Sequence, residues 1–240
     1  MTPRILALDI ETSPALVYTF QLRDVTIGID WIVDPGGILC WSAKWFGEKK
    51  IYYADVRGGK RKMLTQIRDL LSESDAVCTY NGNGFDLQKI NGELVLQRIN
   101  PCPPVTSIDL WQTVNKLGYV SSKLAFLVKQ LGIGEKVKNA GAPLWIGCMN
   151  RDKESWRNMR EYNIGDTTLL ESAHEILMPY IRHYPRLYET GCHRCGCTKT
   201  TGPTKFRTTS TYRFPLNQCA SCKGWYQGKR QSLRSASVAA

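Results

Sequence analysis

Two groups of residues in this 240-residue chain carry reactive chemistry: four carboxylates with a tyrosine, and a run of five cysteines. Asp9 and Glu11 stand two apart at the end of a strand-like stretch, Arg4 to Ile10. A period of two points both side chains to one face. An apolar strand has no structural need for neighbouring acids there, and like charges so placed repel unless a cation sits between them. Asp86 follows the glycine-rich loop Asn81-Gly82-Asn83-Gly84 at a helix start. Taken alone, it reads as an acid favoured by the helix dipole. Tyr162 and Asp166 are four apart on a long helical stretch and share a face. Taken alone, they read as a core tyrosine and a solvated acid.

Cys192-His-Arg-Cys195 and Cys219-Ala-Ser-Cys222 are two C-x-x-C pairs with 23 residues between them. Tetrahedral zinc takes four thiolates, and two such knuckles supply them, so one structural Zn²⁺ on Cys192, Cys195, Cys219 and Cys222 is expected. Cys197 and His193 are spare candidates for a ligand position. A disulfide pair is the alternative, disfavoured because Met1 runs into a strand-like segment with no apolar leader. The same reading makes a reduced, cytoplasmic setting the expectation, and Cys40, Cys78, Cys102 and Cys148 small buried apolar residues.

The formal charge is +11, and it is concentrated. Residues 180–240 hold eleven basic residues against Glu189, a net +10, which leaves +1 for the rest. Such asymmetry points to a polyanion partner, most often nucleic acid; a solvated basic face is the plainer reading. Between the knuckles, Lys205 to Phe214 alternates. On one strand, Lys205, Arg207 and Arg213 would share a face able to grip phosphates, with Phe206, Tyr212 and Phe214 opposite, able to pack or stack bases. A module this small would depend on zinc for most of its stability. No apolar run approaches the roughly 20 residues of a membrane span, so no membrane partner is expected.

The elements that must position these groups follow from periodicity. Strands are predicted at Arg4 to Ile10, Ile38 to Phe46, Lys50 to Ala54, Asp75 to Tyr80 and Val105 to Leu110. Helices are predicted at Met63 to Leu71, Phe85 to Ile99, Ser122 to Leu131 and Lys153 to Tyr180. The order gives an α/β fold with a mixed β-sheet flanked by helices. Asp24 to Gly37 and Gly134 to Arg151 show no period and could be substrate-facing loops. From Gln227 onward the chain has no apolar period and is expected to be disordered.

Asp9-Ile-Glu11-Thr12, then Asn81-x-x-x-Phe85-Asp86, then Tyr162-x-x-x-Asp166 resemble, in order and spacing, the three motifs of the DEDD (DnaQ-like) 3′–5′ exonucleases. Tyrosine in the third motif resembles the DEDDy branch, beside the proofreading domains of family B DNA polymerases. The resemblance runs from about Arg4 to Pro179, and Ser13-Pro14 and Ser107-Ile108-Asp109-Leu110 share it. It implies a ribonuclease H-like domain over 1–186, followed by a zinc ribbon over 187–228 and a disordered basic tail over 229–240. With no polymerase domain in the sequence, it implies a stand-alone nuclease of the kind encoded by bacteriophages, which would work in the host cytoplasm.

The resemblance also implies roles. Two Mg²⁺ or Mn²⁺ ions would do the chemistry, with Asp9 bridging both, Glu11 and Asp166 holding the ion that activates water, and Asp86 helping to place the other. Tyr162 would orient the attacking water; its ordinary pKa, about 10, suits positioning better than base catalysis. Asn81 and Phe85 would shape the site of the 3′-terminal nucleotide. Lys123 could touch phosphate or cover the core edge, and Asp109 could support the site or simply end its strand. The implied partner is nucleic acid, single-stranded DNA above all, with replication or recombination proteins as further partners. An RNA exonuclease, or an inactive nucleic-acid or polymerase adaptor, is the alternative.

Overall fold

The computed structural model describes residues 2–203 and 205–233. The chain forms two compact units, one of residues 4–174 and one built from residue 175 onward together with the N-terminal residues. In the first, β1 (Ile5–Thr12) is followed by a two-stranded ribbon, β2 (Leu16–Val17) and β3 (Ile32–Asp34), and then by β4 (Ile38–Trp45) and β5 (Ile51–Asp55). Next come α1 (Lys60–Glu73), β6 (Ala76–Thr79), α2 (Asp86–Leu96), β7 (Ser107–Asp109), α3 (Leu110–Val114), α4 (Leu124–Leu131), α5 (Ala142–Met149) and α6 (Lys153–Leu177).

The main sheet has the order β5-β4-β1-β6-β7. Its first three strands are antiparallel, and β6 and β7 run parallel to β1. The mixed sheet expected from the element order is therefore present. β1 lies in the middle, and its run of apolar residues is what a strand covered on both faces requires. Leu6, Leu8 and Ile10 pack with Trp41, Trp45, Met63, Leu64 and Ile67 on one face. On the other, Cys40 joins Leu144, Cys148, Trp156, Met159 and Tyr162.

That second face is stitched to α6 by polar side chains from alternate residues of β4. The Ser42 hydroxyl pairs with Thr167 Oγ1 (2.5 Å) and donates to the Asn163 carbonyl (2.9 Å), while Lys44 pairs with Glu171. Residues four apart on a helix meet residues two apart on a strand, so one helix face is held in register along the sheet. Asp9 lies directly opposite Ser42 on β1, so its side chain faces the same helix.

Several expectations need correction. The unassigned segment Gly134 to Arg151 contains α5, whose Ala-Pro-Leu-Trp-Ile-Gly-Cys-Met is apolar on nearly every side and so shows no helical period. Asp24 to Gly37 contains β3. The short α3 is an addition to the expected elements; the Asp109 carboxylate caps it by accepting the Trp111 N–H. Cys40, Cys78 and Cys148 are buried as expected, whereas Cys102 is half-buried.

The second unit carries β8 (Lys205–Thr208), β9 (Tyr212–Gln218), β10 (Trp225–Gln227) and β11 (Gln231–Ser232), with β9 pairing to all three others. Lys205 to Phe214 is thus a hairpin rather than one strand. Thr209-Ser210-Thr211 turns the chain, with Thr209 Oγ1 accepting the Tyr212 N–H, a hydroxyl-made turn without glycine or asparagine. The hairpin moves Arg213 off the face of Lys205 and Arg207: it pairs with Thr208 and lies over the Phe206 ring, 3.4 Å from its centroid. The tail expected to be disordered instead pairs Gln231–Ser232 with β9. Its remaining residues, 234–240, lie outside those described.

Candidate functional site

Three of the predicted carboxylates converge. One carboxyl oxygen from each of Asp9, Glu11 and Asp166 lies within 4.8 Å of the others. The two from β1 point the same way because of the pleat, and Asp166 reaches them from α6 because Asn163 and Thr167 lock that helix to β1 and β4. Asp86 is not part of this tight group. It starts α2, is buried, and accepts the Ile10 N–H on Oδ1 at 3.1 Å, which keeps it against β1 and within electrostatic reach of Asp9. Tyr162 is buried one turn before Asp166.

The cluster is held by residues that the sequence motifs do not include. Asn163 Nδ2 donates to Asp9 Oδ2 at 2.7 Å and to the Asp9 carbonyl. Trp145 Nε1 donates to Glu11 Oε2 at 3.2 Å, and its ring packs edge-on against Tyr162. Lys136 Nζ pairs with Asp166 Oδ2 at 2.8 Å and lies 4.7 Å from the Tyr162 ring centroid. Asn163 was within reach of sequence reasoning, being adjacent to Tyr162 on the same inward face. Trp145 and Lys136 sit in a segment with no period, and no local signal marks them.

The electrostatics are those of crowded acids. Burial pushes Asp9 well above the usual carboxylate range, and the charges of Asp86, Glu11 and Asp166 add to it. Burial and then Asp166 push Glu11 up to about 7, and burial pushes Asp86 to about 7 as well. Asp166 is raised by burial against the lowering effect of Lys136. Its Oδ1 is buried with no hydrogen-bond partner among the described residues. Hard oxygen donors, mutual repulsion and an unpartnered carboxylate oxygen together fit a divalent cation such as Mg²⁺ or Mn²⁺.

The other predicted residues are placed differently. Asn81 and Phe85 are exposed on the loop between β6 and α2. Asp109 holds that loop by accepting the Asn81 and Asn83 N–H groups, so its role here is structural. Gly82 is required for the close approach of this loop to β6: a Cβ there would strike Thr79. Asn81 takes φ 70°, a left-handed conformation that asparagine tolerates. Lys123 is exposed at the start of α4, and Lys205, Arg207 and Arg213 are exposed on the hairpin.

In the second unit the sulfurs of Cys192, Cys195, Cys219 and Cys222 gather within 4.8 Å of one another. Cys192 Sγ and Cys222 Sγ are 3.7 Å apart, and Cys195 Sγ and Cys219 Sγ 3.5 Å. A tetrahedron of thiolates at about 2.3 Å from zinc has edges of about 3.8 Å, so these four sulfurs could hold such an ion, and the small sheet is consistent with a zinc ribbon. Cys197 and His193 are not part of the cluster.

Residues 37–178 match the family model of the RNase_H superfamily, and the chain belongs to that family. Among solved structures, the family B DNA polymerase from the hyperthermophilic archaeon Pyrobaculum calidifontis is similar, with a TM-score of 0.55 and 17% identity over 74% of this chain. That identity speaks for the fold alone, and the match covers 25% of the polymerase. No curated protein sequence matches. The family and the acidic cluster support a nuclease, and hence nucleic acid as its partner. No helix among the described residues is long and apolar enough to cross a membrane.

Proposed function

We propose that the chain is a metal-dependent 3′–5′ exonuclease that removes nucleotides from single-stranded DNA. The observation that carries this is the convergence of Asp9, Glu11 and Asp166 from two distant parts of the chain, with Asp86 beside them. Asp9, Glu11, Asp86 and Asp166 would hold two Mg²⁺ or Mn²⁺ ions. Bound there, such ions supply an activated water and stabilise the leaving 3′-oxyanion.

The chain's own groups do the rest. Asn163 and Trp145 fix the Asp9 and Glu11 carboxylates before substrate arrives, which lowers the reorganisation needed at the moment of reaction. Burial raises the pKa of the Tyr162 hydroxyl, so it stays protonated at neutral pH and orients the attacking water instead of deprotonating it. Phe85, 37% exposed and directly preceding Asp86, offers a ring for the terminal base, with Asn81 on the same loop. Lys123, Lys205 and Arg207 contact phosphates, Arg213 on its Phe206 ring meets a base, and a zinc on the four cysteines keeps the hairpin that carries the last three folded. Replication or recombination proteins are its proposed further partners.

Digestion of a 5′-labelled single strand with Mg²⁺ or Mn²⁺ tests the reading. The parent should give a ladder shortened from the 3′ end, and Asp9→Ala and Asp166→Ala should each cut the rate by about 10³-fold or more. Variants that digest as fast as the parent would overturn the assignment, and faster digestion of a matched RNA would reassign the substrate.

A further inference from the structure

We propose that Lys136 competes with a divalent cation for Asp166, and so sets how tightly the acidic cluster binds its ions. The inference rests on the reading of that cluster as a cation site. Asp166 is buried and offers two oxygens: Oδ2 is paired to the Lys136 ammonium at 2.8 Å, and Oδ1 has no hydrogen-bond partner among the described residues. Lys136 is therefore the counter-cation of Asp166. An ion that uses Oδ2 must displace it, and one confined to Oδ1 meets a positive charge at close range.

The placement of Lys136 is built into the fold. It lies on the segment 132–141 between α4 and α5. That segment is seated closely on α6 at two points. A Cβ at Gly165 would lie 2.7 Å from Val137 Cγ2, and one at Gly134 would lie 3.0 Å from Leu169 Cδ2. Gly165 directly precedes Asp166, so the glycine that admits Val137 also brings the neighbouring lysine onto the acid. The ammonium of Lys136 lies over the Tyr162 ring, 4.7 Å from its centroid, and the side chain is only 27% exposed. A freely solvated lysine would not be held in this way.

The competition is read directly from Mn²⁺ binding, with no nucleic acid present. Full-length protein with zinc on its cysteines is titrated with Mn²⁺, and free Mn²⁺ is followed by electron paramagnetic resonance. Lys136→Gln should bind Mn²⁺ about three- to tenfold more tightly than the parent, the gain expected from removing one close positive charge. Lys136→Met, which keeps the packing over Tyr162 but not the charge, should tighten binding likewise, and Lys136→Arg should stay near the parent. If Lys136→Gln and Lys136→Met bind no more tightly than the parent, the competition is overturned. If the parent shows no Mn²⁺ binding that Asp9→Asn removes, the cation site itself fails, whatever Lys136 does.

Discussion

Asp9, Glu11 and Asp86 are asked to stay ionised in a place that disfavours charge, and this has a consequence for stability. Burial and neighbouring acids raise Glu11 from 4.5 to about 7 and Asp86 from 3.8 to about 7. Between those ordinary values and pH 7 the folded chain holds protons that the unfolded chain has released. Stability of the metal-free protein therefore falls as pH rises through that window. A divalent ion held by the deprotonated carboxylates, as proposed, would restore what the rise in pH removes. Thermal unfolding at pH 5 and pH 8, with and without Mg²⁺, should show a small metal-induced rise in Tm at pH 5 and a larger one at pH 8. Equal shifts at the two pH values would mean that the ion stabilises the chain somewhere other than this cluster. Of the acids most subject to this effect, spacing by itself marks Glu11 beside Asp9, whereas Asp86 is singled out only by the resemblance of its motif. Their supports are harder to read, because a tryptophan or lysine that meets a carboxylate from a distant stretch of chain leaves no local pattern.

Gly165 shows how an element transmits a small side chain's absence to the site. It stands on α6 between Tyr162 and Asp166, where a Cβ would press on Val137. Gly165→Ala should cost about 1–3 kcal/mol from overpacking, against a gain of about 1 kcal/mol in helix propensity. Adding Val137→Ala should recover most of that loss, because it removes the atom in the way. Denaturant unfolding of the two single variants and the double variant checks this, and strictly additive effects would show that the close approach is not what glycine serves. The same helix explains how much of the fold could be read beforehand. α6, α1 and the strands of the main sheet bury one stripe or both faces, and periodicity finds such elements. α5 is apolar nearly all round and hides its period, and α3 is held by a single capping acid. The hairpin of β8 and β9 reads as one strand because its turn uses threonine and serine hydroxyls, so nothing in Thr209-Ser210-Thr211 interrupts the alternation.

At the scale of the whole chain, charge and chemistry are segregated: the unit with the acidic cluster is nearly neutral, and the excess positive charge follows residue 180. Under the proposed function the chain binds a polyanion with acids at its centre, so long-range attraction would have to come from elsewhere in the chain. Under that proposal the hairpin would supply it in two ways. Lys205 and Arg207 share one exposed face, while Arg213 is stacked on Phe206 and Arg230 lies 4.9 Å from the Tyr212 ring centroid. Cations stacked on rings are poised for bases, and those that reach into solvent for phosphates. Replacing Lys205 and Arg207 by alanine together should therefore flatten the dependence of log Kd on log salt by about 1.4, near 0.7 for each single-strand phosphate no longer neutralised. Arg213→Ala should weaken binding with a smaller change in that slope. Fluorescence anisotropy of a labelled oligonucleotide across a salt series, with Ca²⁺ replacing the catalytic ion, measures both. Hydrolysis of an oligonucleotide at saturating enzyme should stay close to the parent's in either variant, because neither removes a member of the acidic cluster. A slope that does not move would leave the hairpin's charges as a solvated face and shift the grip on nucleic acid to the nuclease unit.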